Sequence, residues 1–159
     1  MRVHVITVSD RSHRGEREDG TGPALAAAAE ELPAEVVGRT VVPDDRAAIA
    51  AAIREAASGA DLVLTAGGTG LGPRDVTPEA TCDVLDREAP GFGEEMRRRS
   101  AAITDRAIVS RATAGSLGRA FVLNLPGSPK GAVECLSFLR APLKHAVDLL
   151  TSDVTDCAK

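Results

Sequence analysis

The stretch TAGGTGLGPRDVTPEA, residues 65–80, carries the residues of this chain that are best suited to holding an anion. Gly67, Gly68, Gly70 and Gly72 fall within six positions, and glycines let the amide groups of a turn approach a ligand closely. The loop fits neither common phosphate-binding motif. Pro73 stands where a Walker A loop has Lys and where the dinucleotide fingerprint has its third Gly. Four glycines that merely permit positive φ angles would be a weaker explanation than backbone contact with a ligand.

Asp75 adds a carboxylate directly after these glycines. Thr77 and Pro78 already have the residue types of a helix N-cap and a first helical position, so the sequence leaves Asp75 free of capping. The competing interpretation is a carboxylate that only stabilises the turn. A carboxylate beside a phosphate is repulsive unless a cation lies between them, and Mg²⁺ is commonly held by one or two carboxylates together with phosphate oxygens. The loop therefore predicts a phosphate site with a magnesium ion.

Two other junctions between a strand and a helix have related chemistry. VVPDD, residues 41–45, ends in two carboxylates; spacing alone favours Asp44 as a helix cap, yet one of the pair is spare. In VLNLPGSPKG, residues 122–131, Ser128 has the type of an N-cap. The free N–H groups of that helical turn, together with Gly127, also favour an anion site. Both functions are compatible at Ser128.

Alternating strands and helices must position these three junctions. Hydrophobic patterns predict strands at 2–8, 35–42 and 61–66, a hairpin within 112–127, and helices at 23–32, 44–58, 78–88, 90–103, 128–139 and 143–150. The polar, glycine-containing segment 9–23 is predicted to form a loop.

This order predicts one α/β domain over residues 1–150, followed by a frayed tail at 151–159. Helices on both faces of a mostly parallel, mixed sheet would give a three-layer α/β/α sandwich. In such a sheet, ligands bind at the carboxyl ends of the strands. We therefore expect the three junctions to converge on one crevice.

Composition excludes several classes of function. Aromatic residues make up 2% of the chain and the net charge is −4. Stacking on bases and a broad nucleic-acid footprint are therefore not expected. Cys82, Cys135 and Cys157 form no CxxC pair, and no HExxH motif exists, which disfavours zinc and disulfides. The N-terminal segment lacks the pattern of a signal peptide and no apolar run has membrane-spanning length, so a cytoplasmic location is expected.

Two further features have ordinary explanations. Ser9, Asp10 and His13 lie close together in the sequence, but no G-x-S-x-G elbow accompanies them, so a hydrolase is not favoured. The basic run MRRRS, residues 96–100, is typical of a solvated helix face or a subunit contact.

Taken together, TVSDR, VVPDD, TAGGTGLGPRDVTPEAT and LNLPGSPKGAVE resemble the molybdopterin adenylyltransferase family, the MogA and MoaB group, over residues 3–150. The resemblance implies a trimeric α/β/α domain that transfers the adenylyl group of ATP to molybdopterin and releases pyrophosphate. It implies a molybdenum insertase as the partner that receives the product. The residues that match the family's functional positions are two carboxylates, a ligand-binding loop and two serines that border the pocket: Asp44 and Asp75; Gly67, Gly68, Thr69 and Gly70; Ser9 and Ser128.

The reaction that this resemblance implies suits the residues. The phosphate of molybdopterin must meet the α-phosphate of ATP, so catalysis requires positioning and neutralisation of charge. Asp44 and Asp75 are expected to hold Mg²⁺ there. Two alternatives stay open: a non-catalytic molybdopterin-binding or carrier protein of the same fold, and a trimer that uses the pocket as a surface for partners. The motifs do not choose between paralogues, between molybdenum and tungsten pathways, or between a trimer and a hexamer.

Overall fold

Runs of β-branched residues alternate with Ala-rich amphipathic segments, and they form the strands and helices of the computed structural model, which describes residues 1–152. The strands are β1 (Arg2–Val8), β2 (Glu35–Val42), β3 (Leu62–Ala66), β4 (Arg87–Glu88), β5 (Ala114–Leu117) and β6 (Ala120–Leu125). The helices are α1 (Asp10–His13), α2 (Thr21–Glu30), α3 (Arg46–Ala57), α4 (Thr77–Cys82), α5 (Pro90–Ser100), α6 (Pro129–Phe138) and α7 (Arg140–Thr151), with a 3₁₀ helix at Asp105–Val109.

The described strands form one mixed sheet in the order β2-β1-β3-β6-β5-β4. β1 pairs in parallel with β2 and β3, and β3 pairs in parallel with β6. β5 is antiparallel to both of its neighbours, β6 and β4. The predicted hairpin is confirmed as β5 and β6, and Gly118 in its turn has a φ of +58°.

Aliphatic side chains fill two cores, one on each face of the sheet. Successive strand residues point to opposite faces. Val5 therefore joins the core beneath α2, α5, α6 and α7, whereas Ile6 joins the core beneath α3 and α4. Each fully buried Val, Leu or Ile contributes about 1.5–3 kcal/mol of stabilisation. The predicted α/β/α sandwich with a mostly parallel, mixed sheet is confirmed. Within residues 1–152, no helix has both the length and the apolar character needed to cross a membrane.

Several element boundaries differ from the sequence prediction; α5, for example, ends at Ser100 and not at residue 103. The helix predicted at 78–88 is wrong in its second half, because α4 ends at Cys82 and residues 87–88 form β4. Pairing with the hairpin stabilises this change: the Asp86 amide donates to Ser116 O at 2.8 Å, and the Asp86 carboxylate accepts from the Gly118 amide at 2.6 Å. The polar loop predicted at 9–23 contains α1 and the first turn of α2. Thr151 belongs to α7, and the rest of the predicted tail beyond residue 152 lies outside the described residues.

The order of the strands determines where a ligand can bind. From β1 the chain passes through α2 on one face of the sheet to β2, and from β2 it passes through α3 on the other face to β3. The carboxyl ends of β1 and β3 therefore flank a topological switch point, where the connections leave in opposite directions and open a crevice. The glycine loop begins at this point.

Candidate functional site

The glycine loop lies directly against the ends of the strands on either side of β3. Gly67 has a φ of +109°, and a Cβ placed on it would lie 2.3 Å from the carbonyl oxygen of Val8, the last residue of β1. On the other side, its amide donates to Leu125 O at 3.2 Å, and a Cβ on Gly127 would lie 3.2 Å from the Gly67 Cα. The ends of β1, β3 and β6 thus meet at Gly67, where only glycine fits.

Thr77 fixes this loop while leaving its amide groups free. The Thr77 hydroxyl donates to Gly67 O at 2.8 Å and the Thr77 amide donates to Gly68 O at 3.1 Å. The prediction that Thr77 is the N-cap of the following helix is wrong, because its hydroxyl is a donor to the loop and the cap position, Val76, has no side-chain bond. Within the described part of the chain, the amides of Gly68, Thr69 and Gly70 donate to no acceptor. These N–H groups are suited to an anion.

Asp44 faces the same loop. Asp45 caps α3 by accepting from Ala48 N at 2.8 Å, so the capping role that spacing favoured for Asp44 is wrong. Asp44 Oδ2 instead accepts from the Asp10 amide at 2.8 Å, and the Asp44 amide donates to the Asp10 carboxylate at 3.0 Å. Asp44 Oδ1 lies 3.2 Å from the place of a Cβ on Gly68. The carboxylate is half-buried against the glycine loop.

The electrostatic surroundings of Asp44 favour a cation. Burial raises the pKa of the Asp44 carboxyl, the neighbouring charges of Asp10 and Asp75 raise it further, and the hydrogen bond from the Asp10 amide opposes them. A carboxylate whose charge is disfavoured by burial and by like charges gains most from a bound cation. Asp44 and Asp75 face the same loop, since Asp44 Oδ1 lies 3.2 Å from the place of a Cβ on Gly68 and Asp75 Oδ2 lies 2.8 Å from the place of a Cβ on Gly70.

Asp75 stabilises its own turn. Its Oδ2 accepts from the Gly72 amide at 2.9 Å, and its backbone amide donates to Gly72 O at 2.9 Å. The same carboxylate oxygen lies 2.8 Å from the place of a Cβ on Gly70. This is the turn-stabilising role that stood as the alternative to catalysis. Asp75 Oδ1 accepts no hydrogen bond from the described residues, so one oxygen remains for a ligand.

Asp10 and Arg74 form a second polar contact across the crevice. Arg74 Nε and Nη2 donate to the two carboxylate oxygens of Asp10 at 3.1 and 3.0 Å. Desolvation alone would raise the pKa of Asp10, but the Asp44 amide and Arg74 lower it overall. In the sequence, Asp10 stands out only as a possible member of a triad, and Arg74 has no predicted role. Their opposite charges, each close in sequence to the end of a strand, were the feature of the sequence that could have predicted this ion pair.

Ser9 and Ser128 follow the ends of β1 and β6, and Thr69 lies within the glycine loop. Ser9 Oγ caps α1 by accepting from Ser12 N at 3.2 Å, and Ser128 Oγ caps α6 by accepting from Gly131 N at 3.2 Å. Thr69 is buried. Both serines use an acceptor lone pair for capping, so their hydroxyl hydrogens remain available to a ligand. At the start of α6, Pro129 has no N–H group and the Gly131 amide donates to Ser128, so the amides of Ser128 and Lys130 are the ones without an acceptor among the described residues. Free amides at a helix N-terminus are suited to binding phosphate.

A cavity of about 250 Å³ adjoins the loop. Gly70 and Ser128 line it on the side of the strand ends, and Met96, Val109 and Cys135 give it an apolar wall. Asp44 and Asp75 do not belong to its lining. The site therefore has a charged part at the glycine loop and an apolar part beside it.

Fold and site together define an α/β protein with a polar, glycine-lined crevice at the carboxyl ends of its parallel strands. The sequence profile of a family described as "probable molybdopterin binding domain" matches residues 4–145. The chain belongs to this family.

Individual relatives agree with this assignment. Molybdopterin adenylyltransferase of Escherichia coli K12 is 42% identical over 141 residues, 86% of this chain and 72% of that protein. The molybdenum cofactor synthesis protein cinnamon of Drosophila melanogaster is 39% identical over 155 residues, 95% of this chain; the chain spans only 26% of that protein. The crystal structure of the molybdopterin biosynthesis enzyme MoaB from Thermus thermophilus superposes with a TM-score of 0.89 at 49% identity, covering 94% of this chain and 96% of that one.

Proposed function

We propose that the protein transfers the adenylyl group of ATP to the phosphate of molybdopterin in the biosynthesis of the molybdenum cofactor. The observation that carries this proposal is the meeting of Asp44, Asp75 and the free amides of Gly68, Thr69 and Gly70 in one crevice. Relatives named molybdopterin adenylyltransferase, which match most of the chain, support the choice of substrates.

The reaction balances as a displacement at phosphorus. A phosphate oxygen of molybdopterin attacks the α-phosphorus of ATP and forms a new P–O bond. The bond between the α-phosphorus and the bridging oxygen to the β-phosphate breaks, and its electron pair leaves with pyrophosphate. The chain's own contribution is to hold two anions together, since amides of the glycine loop bind phosphate oxygens and Ser9 and Ser128 can donate from either side.

Mg²⁺ fits the residues present. Asp44 Oδ1 and Asp75 Oδ1 accept no hydrogen bond among the described residues. Burial and then the charges of Asp10 and Asp75 raise the pKa of Asp44, and a cation would offset both effects. In residues 1–152, no group of three or more His, Cys, Asp or Glu forms a complete metal site. Substrate phosphate oxygens would therefore complete the coordination, as is usual for magnesium. Bound there, Mg²⁺ would neutralise charge on the reacting phosphates.

The second candidate is a carrier that binds molybdopterin without chemistry. It would need the glycine amides and the apolar cavity, but not a half-buried Asp44 beside two other carboxylates. Incubation with ATP, Mg²⁺ and molybdopterin distinguishes the two. An adenylyltransferase releases pyrophosphate and forms adenylylated molybdopterin, seen by mass spectrometry. A carrier shows a higher melting temperature with molybdopterin and no pyrophosphate.

We also propose a cytoplasmic homotrimer that delivers its product to a molybdenum insertase. Ile103, Ile108 and Val109 support self-association, because each leaves about half or more of its surface exposed, from 48% to 79%. Exposed apolar groups that lie close together in a chain are typical of protein contacts. Sedimentation equilibrium tests the trimer, and a mass of one protomer at micromolar concentration would contradict it.

A further inference from the structure

Arg111 lies outside the motifs that pointed to the site, yet it reaches into the glycine loop. Its backbone amide donates to Thr69 O at 2.8 Å. Its Nε donates to Gly70 O at 2.7 Å, and its Nη2 donates to Asp75 O at 2.7 Å. Its Nη1 pairs with the carboxylate of Glu79 in the first turn of α4. One residue therefore holds both ends of the segment 69–75.

The loop needs such an external support. Between Gly70 and Asp75, the described hydrogen bonds of the segment itself are those that join Gly72 to Asp75. A segment rich in glycine also loses more conformational entropy than other sequences when it is ordered. Arg111 donates to carbonyl groups on either side of this turn, so it limits the positions that the turn and its carboxylate can occupy.

The chemistry of these contacts requires a guanidinium group. Arg presents five N–H donors in a rigid planar fork, whereas Lys presents three on a single nitrogen. The fork lets Arg111 bind Gly70 O, Asp75 O and Glu79 from three different nitrogen atoms. A lysine keeps the positive charge near Glu79 but cannot bridge both carbonyl groups in the same way.

We propose that Arg111 is a positioning residue, whose side chain sets the location of the Asp75 carboxylate relative to the glycine loop for the transfer reaction. This proposal rests on the proposed function. Arg111 donates to protein carbonyls and to Glu79, so its role is to act through the loop and not on the substrate directly.

Two variants and one control separate this role from a role of charge or of general stability. Arg111→Met removes the fork, and Arg111→Lys removes the fork but keeps the charge. Arg54→Met is the control, because Arg54 is exposed on α3 and its side chain has no hydrogen bond or ion pair within residues 1–152. Circular dichroism first establishes that each variant is folded.

The first measurement is amide hydrogen exchange without ligands. In both Arg111 variants we expect faster exchange at the amides of Gly72 and Asp75, which are the hydrogen-bonded amides of residues 69–75, with exchange in β1 and β3 unchanged. The second measurement is steady-state transfer. We expect kcat to fall by roughly 10- to 100-fold in both variants, because a displacement of about 1 Å can cost two orders of magnitude. The KM for molybdopterin should change by less than about 3-fold, since the amides still bind phosphate.

Each result decides one part of the proposal. Unchanged exchange in folded Arg111→Met and Arg111→Lys would show that Arg111 does not fix the loop. Faster exchange with a wild-type kcat would refute the positioning role, and a wild-type kcat in Arg111→Lys alone would assign the effect to charge instead. If the wild-type protein itself transfers no adenylyl group, the proposed function fails, whereas the exchange data still decide whether Arg111 holds the loop.

Discussion

The substitution Gly67→Ala tests whether the close contact of the strand ends requires a residue without a Cβ at position 67. The φ of Gly67 is +109°, and an added Cβ would lie 2.3 Å from Val8 O. That oxygen belongs to the backbone of β1, which is held by strands on both sides and cannot turn away. Gly118→Ala is the matched control, because its φ is +58° and no heavy atom lies within 4 Å of the added Cβ.

The difference in stability between Gly67→Ala and Gly118→Ala measures the cost of the contact between a Cβ on Gly67 and Val8 O. A left-handed backbone at Ala costs about 1–2 kcal/mol, and this is the whole expected cost of Gly118→Ala. Gly67→Ala adds backbone strain of about 1–3 kcal/mol to an overpacking cost of about 1–3 kcal/mol. We expect Gly67→Ala to lower the free energy of unfolding by about 2–6 kcal/mol, and by roughly 2 kcal/mol more than the control.

Urea unfolding at a fixed protomer concentration measures these values, since association would otherwise change the apparent stability. Each kcal/mol should also lower the melting temperature by about 2–4 °C for a domain of this size. Equal losses of stability in the two variants, within about 0.5 kcal/mol, would refute the claim that Gly67 is needed for contact with β1.

The contacts of the site give three further predictions. Burial and the charges of Asp10 and Asp75 raise the pKa of Asp44, so ionisation of Asp44 lowers the free energy of unfolding. This loss of stability develops as the pH rises through the raised pKa. Asp44→Asn should therefore increase the melting temperature at pH 7 but not at acidic pH, where Asp44 is protonated in the wild type. Asp45→Ala should lower the free energy of unfolding by about 1 kcal/mol through loss of the α3 cap, measured in urea, and leave transfer unchanged. Thr77→Val should cost about 1–3 kcal/mol in the same assay, because Gly67 O loses its buried donor.

The fold could be predicted largely from the sequence, because buried strands and amphipathic helices have strong periodic patterns. The convergence of the three junctions followed from the parallel sheet. The end of α4 and the strand β4 could not be predicted in this way. A strand of two residues, Arg87–Glu88, has no period of its own, and its conformation is set by pairing with the hairpin.

The site was less predictable, because its contacts join distant parts of the chain. Either Asp44 or Asp45 can cap a helix, and the choice is decided by the hydrogen bonds between Asp44 and Asp10 at the end of a neighbouring strand. Arg111 lies 36 residues beyond Asp75, a separation that no local spacing rule connects. The carboxylates were visible in the motifs, whereas the residues that orient them were not.

The most direct test of the central claim compares pyrophosphate release by the wild type and by Asp75→Asn, with ATP, Mg²⁺ and molybdopterin present. An asparagine oxygen can still accept from the Gly72 amide, so the turn and the binding of molybdopterin should survive. Loss of the negative charge should slow release by about 100- to 1,000-fold, the size of one electrostatic contribution to catalysis. Release at the wild-type rate by Asp75→Asn would contradict the claim that Asp44 and Asp75 together serve the reacting phosphates.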